Sequence, residues 1–81
     1  MIHPIQVRAA RVLLGMDQQE LATTSGVGLA TLKRFEASGN NLTGTVQTIS
    51  KIRRALETAG IVFIEQDEHL GPGVRLKRPL S

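Results

Sequence analysis

Gln18 to Glu36, QQELATTSGVGLATLKRFE, is the stretch on which the fold turns. Asp17 stands ahead of it as an N-cap, and Glu20, three residues on, can reach back to close a capping box. Leu21 and Ala22 supply an apolar face, with Met16 packing just before it. Gly26 falls where this helix should stop, because glycine takes the left-handed backbone conformation of a helix end without a steric penalty. Val27 follows in the turn. A second helix is predicted from about Gly28 to Ala37, with Leu32 and Phe35 on its inner face and Lys33 and Arg34 outside. Two short helices, a Gly-containing turn of three or four residues and a basic outer face form a helix-turn-helix unit.

Working outward, Pro4 suits the first position of a preceding helix, since its φ is fixed and its missing N–H is not needed there. That helix should end near Gly15, with Val7, Ala10 and Leu14 as its inner face. After the unit, Ala37-Ser-Gly-Asn-Asn-Leu reads as a loop from its Gly and Asn content, and Leu42 is expected to plug the core. Thr43 or Thr45 should cap a fourth helix reaching about Ala59. Val46, Ile49, Ile52 and Leu56 repeat there at helical spacing and should face inward. Lys51, Arg53, Arg54 and Glu57 should face out, and Gly60 should end the helix.

The chain then changes character. Ile61-Val-Phe-Ile is rich in strand formers, and Val74-Arg-Leu-Lys-Arg alternates apolar and basic residues around the Gly71-Pro-Gly turn signal. A lone two-stranded hairpin is marginal in water, so this pair must dock on the helices or pair its edge with a second copy. Residues 1–60 thus read as the helix-turn-helix domain and 61–81 as a tail that can serve dimerisation. No internal repeat or low-complexity linker interrupts the chain.

Eighty-one residues make one small domain with a modest core, burying about 60% of the surface its unfolded chain exposes. A partner chain would help it. Cysteine is absent, which removes disulfides, thiolate zinc sites and cysteine nucleophiles. No apolar run is long enough for a membrane span, and the opening MIHPIQVRAA lacks a signal-peptide core; the expected location is cytoplasmic. Thr23, Thr24 and Ser25 have no neighbouring His, and Asp67-Glu68-His69 reads as a solvated polar loop. Neither an enzyme, a metal nor a cofactor is expected. The net charge is +3. Between Leu29 and Arg54, Lys33, Arg34, Lys51, Arg53 and Arg54 face Glu36 alone, a basic stretch suited to phosphates. Two Phe and no Tyr or Trp leave almost no stacking platform for single strands. The nucleic acid implied is duplex DNA.

LGMDQQELATTSGVGLATLKRFEAS resembles helix 2, the turn and helix 3 of the lambda repressor/Cro-like (Xre-type) DNA-binding domains. The Gln18-Gln-Glu-Leu-Ala opening, the Gly26-Val27 turn and the Leu32…Phe35-Glu36 ending carry the resemblance, which covers roughly residues 4 to 60. It implies a mostly α domain of four to five helices, here with a short C-terminal β-hairpin. It implies a sequence-specific regulator, a homodimer on a palindromic operator, with the helix at about 28–37 in the major groove. Carried over by position, Leu29, Ala30, Lys33 and Arg34 face bases, Gln18 meets a phosphate, and Thr31, Asn40 and Asn41 are further phosphate candidates. Arg11 is implied to pair with Glu36 as a structural ion pair. Gly28 departs from the Ser or Thr common at the start of the recognition helix, which removes a hydroxyl from the interface. A protein-interaction adaptor, or an antitoxin-type regulator that also binds a toxin, is the alternative.

Overall fold

The computed structural model describes residues 2–39 and 44–81. Four helices, α1 (Pro4–Leu14), α2 (Gln18–Ser25), α3 (Leu29–Ala37) and α4 (Val46–Thr58), are followed by strands β1 (Ile61–Ile64) and β2 (Gly73–Leu76). The chain is mostly α, with a terminal antiparallel strand pair.

Local chemistry sets the helix ends. Pro4 occupies the first turn of α1, and Gly15 closes it in the left-handed region at φ 65°. Asp17 caps α2 by accepting from the Glu20 N–H at 2.8 Å, and the Glu20 carboxylate accepts in return from the Asp17 N–H at 3.5 Å. Gly26 ends α2 at φ 73°, its N–H donating to the Ala22 and Thr23 carbonyls. Thr45, one of the two expected caps, accepts from the Thr48 N–H at 3.0 Å to open α4. Thr43 and the proposed plug Leu42 lie outside the described residues.

One cluster forms the core. Val7 and Ala10 of α1, Leu21 and Ala22 of α2, Val27 of the turn, Leu32 and Phe35 of α3, and Ile49, Ile52, Ala55 and Leu56 of α4 are all buried in it. Leu14, Met16 and Leu29 pack against it partly buried. Val46 departs from the expected inward stripe and is 74% exposed. At about 100° per residue, the buried set Ile49, Ile52, Ala55 and Leu56 centres on a line roughly 110° away from Val46. Ala55, about 180° around the helix from Val46, closes the other side of the buried stripe.

The strand pair shares this core. Ile61 is 2% exposed and belongs to the buried cluster, and Phe63, Val74 and Leu76 pack against it. Ile61 pairs with Leu76, Val62 with Arg75, Phe63 with Val74 and Ile64 with Gly73. The connection therefore spans residues 65–72, longer than the Gly71-Pro-Gly signal suggests, and Gly73 already belongs to β2. Asp67 shapes it: its carboxylate accepts from the N–H groups of His69 and Leu70 at 2.7 and 2.8 Å. These two hydrogen bonds stabilise the ionised form and hold the Asp67 carboxyl below its ordinary value.

Gln6, on α1, fastens the pair to the helices. It is 4% exposed, and its side-chain amide donates to the carbonyls of Ile64 at 3.2 Å and Gly73 at 3.0 Å. Its own carbonyl accepts from the His3 N–H at 2.7 Å. The buried amide is thus satisfied on both sides, as a buried polar group must be.

Candidate nucleic-acid interface

The α2–turn–α3 unit is held from behind by Glu36. This carboxylate, 3% exposed, lies in a two-pronged pair with Arg11, whose Nε and Nη2 stand 2.8 and 2.7 Å from its two oxygens. Arg11 also donates to the Met16 carbonyl at 3.2 Å, tying α1 to the segment that opens α2. Arg8 donates to the Glu36 backbone carbonyl. Both cations of α1 are therefore spent on the end of α3. A planar guanidinium meeting both oxygens fixes orientation as well as distance, so α1 and α3 are locked in one relative position.

Gln18, the first residue of α2, joins this cluster. Its side-chain amide donates to Glu36 Oε1 at 3.2 Å. The amide is half-buried; one of its two N–H groups is held by the carboxylate, and the second N–H and the carbonyl oxygen are left over. Sequence reading placed Gln18 at the surface and missed this anchor, because the contact links residues eighteen positions apart.

On α3, Ala30, Lys33 and Arg34 are exposed. Their spacing of three and four residues puts them on one face. Gly28 caps the helix with extended backbone and no side-chain hydrogen bond. Arg34 donates to Thr31 Oγ at 3.4 Å along that face. Thr31 is half-buried, and Leu29 is half-buried with its side chain packed on the core. The structure so brings Ala30, Thr31, Lys33 and Arg34 together on the open side of α3, with Leu29 at its margin. Asn40 and Asn41 lie outside the described residues.

Behind Arg34 a shallow open depression separates α3 from the first turn of α4, lined by Thr31, Arg34, Phe35, Ser38, Gly44 and Thr48. The N-terminus of α4, where Thr45 already takes the Thr48 N–H, thus opens next to the basic face. Such an end favours anions. Lys51 and Arg54 are exposed further along α4, whereas Arg53 turns back over the Phe63 ring at 5.3 Å and pairs with Glu57 at 3.2 Å. Arg53 therefore braces β1, a role its expected outward position did not foresee.

Among the described residues no group of three or more His, Cys, Asp and Glu is gathered as a metal site would require, and no helix is long and apolar enough to cross a membrane. No curated protein matches the chain at a significant level. The Helix-turn-helix family model matches residues 7–59, from the middle of α1 to the end of α4. More than half of the sequence, its four helices and the capped turn between α2 and α3 agree: the chain belongs to the helix-turn-helix family of lambda repressor-like (Xre-type) domains, DNA-binding and transcription-regulating proteins rather than enzymes.

Proposed function

We propose that the protein is a sequence-specific regulator that binds duplex DNA as a homodimer on a palindromic operator, with α3 in the major groove. The observation that carries this reading is the exposed face of α3, where Ala30, Lys33 and Arg34 stand clear of the core on a helix clamped from behind by the Arg11–Glu36 pair. A rigid helix presenting one guanidinium, one ammonium and a small apolar residue suits direct readout. Arg34 can meet guanine O6 and N7 with two hydrogen bonds, and Ala30 can contact a thymine methyl. Leu29, at the margin of this face, is a further apolar contact. Lys33, Thr31 and Gln18 serve the phosphates on either side, joined by the N-terminus of α4. Asn40 and Asn41 belong to the same proposed set by their place between α3 and α4. The strand pair, residues 61–78, is the proposed dimerisation element.

Selection from a random duplex library by the full chain at physiological salt tests the reading. The expected product is an inverted repeat with half-sites about one helical turn apart, with preference relaxed at one base pair of each half-site when the selection is repeated with Arg34→Ala. Binding without sequence preference and with a steep salt slope would instead describe an architectural DNA binder. No enrichment would favour a protein partner, such as a toxin, for the same fold.

A further inference from the structure

The two edges of the strand pair are not equivalent. Lys77 donates its N–H to the Gly60 carbonyl at 2.7 Å, one step beyond the Ile61–Leu76 pair. Hydrogen-bonded and non-bonded pairs alternate along an antiparallel ladder. Val62 and Ile64 therefore turn their N–H and C=O groups toward β2, and Ile61 and Phe63 turn theirs away. Ile61 is buried, but Phe63 is half-buried and, among the described residues, its outward backbone groups hold no hydrogen bond.

The outer edge of β2 is guarded against self-pairing. A two-fold register centred on Arg75 sets two arginines opposite each other, and one centred on Leu76 sets Arg75 against Lys77. Like charges directly opposite are destabilising. A register centred on Val74 opposes Leu76 to Pro72, which has no N–H to give. The edge of β1 carries no such device. Its four residues are all apolar, and Val62 and Ile64 are 40% and 43% exposed on the solvent face.

Charge also favours a second copy of this chain over other occupants. Glu65, Asp67 and Glu68 place three of the seven acidic residues in four positions beyond the far end of β1. Arg75, Lys77 and Arg78 lie along and just past β2, with Lys77 opposite Gly60 at the near end of β1. Antiparallel pairing of β1 with itself brings the acidic end of each copy beside the basic end of the other, two strand spacings or about 10 Å across. Opposed residues must point to the same face of a sheet, so Val62 cannot face Phe63. The two-fold axis must pass through a residue.

We infer that two copies join through β1, with Phe63 facing Phe63 of the second copy as the hydrogen-bonded pair and Val62 facing Ile64 of the second copy on either side. This deepens the homodimer reading and rests on it. Burial of Ile61 confines the pairing to residues 62–64 and the charged ends, so the free dimer is weak and the four-stranded sheet is completed when two copies bind neighbouring half-sites.

The absence of native cysteine makes the test direct. In the proposed register positions 62 and 64 of the two copies form a non-bonded pair with Cα atoms about 4.5 Å apart, inside disulfide range. An equimolar mixture of Val62→Cys and Ile64→Cys full-length chains should cross-link on oxidation, with neither variant doing so alone. Val62→Lys/Ile64→Lys, which sets lysine against lysine, should shift sedimentation equilibrium to monomer. Val62→Lys/Ile64→Glu, which sets opposite charges together, should restore the dimer. Cross-linking by Val62→Cys alone would overturn this register. A native chain that is dimeric, but neither cross-links in the mixture nor responds to the lysines, would overturn the β1 edge and leave the homodimer. A chain monomeric at every concentration and on operator DNA would overturn both.

Discussion

Gln18, at the start of α2, donates its side-chain amide to the Glu36 carboxylate at the end of α3, 3.2 Å away. Glu36 therefore holds both the frame, through Arg11, and a residue of the candidate interface. Arg11 and Gln18 approach the same carboxylate from α1 and α2, so one side chain sets the relation of three helices.

Replacing Glu36 by Ala should cost about 3–5 kcal/mol, since it leaves the Arg11 guanidinium largely buried without its partner. Urea denaturation reads this directly; an unchanged midpoint would refute the locking role. Gln18→Ala removes one hydrogen bond to a charged group, and its cost should stay within about 1.5–3 kcal/mol.

Arg34 and Lys33 should fail differently. Arg34→Ala is expected to relax preference at one base pair of each half-site by about 1–3 kcal/mol. Lys33→Ala should weaken all sequences alike and lower the salt slope by about 1. Binding titrations on operator and scrambled duplexes at several salt concentrations separate the two. Equal losses on every duplex for Arg34→Ala would contradict a reading role.

Gln6→Leu should loosen the strand pair ahead of the helices. It removes the donor shared by the Ile64 and Gly73 carbonyls, at roughly 1–3 kcal/mol for the groups left short of a partner. Hydrogen exchange of β1 and β2 amides should accelerate more than that of α2 and α3. Uniform acceleration would mean that Gln6 supports the whole core instead.

Gly26→Ala isolates backbone strain. A methyl built at Gly26 meets no atom within 4 Å, yet φ there is 73°. The expected loss is about 1–2 kcal/mol from the left-handed conformation alone, read as a lower thermal midpoint with the fold intact. A neutral effect would mean that the turn can re-form without a left-handed residue.

The Asp67 turn has a defined pH window. Its carboxyl is held below the ordinary aspartate value by the His69 and Leu70 N–H groups. A depressed folded pKa gives stability that is fully present above the unfolded value and is lost as pH falls through the folded one. The 65–72 connection should therefore keep its shape at neutral pH and loosen in acid below the ordinary carboxylate range. An NMR titration of Asp67 with a midpoint at or above that of an ordinary aspartate would contradict the turn.

Much of the helix-turn-helix unit was legible because its determinants are local. Asp17 with Glu20, Gly26, and the Leu32 and Phe35 spacing each act within one or two helical turns. Val46 misled because a regular spacing tells which residues share a stripe but not where the stripe ends, and the first residue of α4 lies past its margin. Gln6 went unread for the opposite reason. A polar residue between apolar ones gives no sign that two carbonyls more than fifty positions away will need its amide.

The sequence by itself determined the Asp17 cap, the Gly26 turn, most of the helical faces and the two strands, since each follows from the conformational preferences of a few adjacent residues. Tertiary structure alone decided that Arg8 and Gln18 would join Arg11 on Glu36, and that Ile61 would enter the helical core. It also decided that Gln6 would fasten the strand pair and Arg53 would cover Phe63. These arrangements depend on burial, where an unpaired polar group is costly and must find a partner wherever the packed chain brings one.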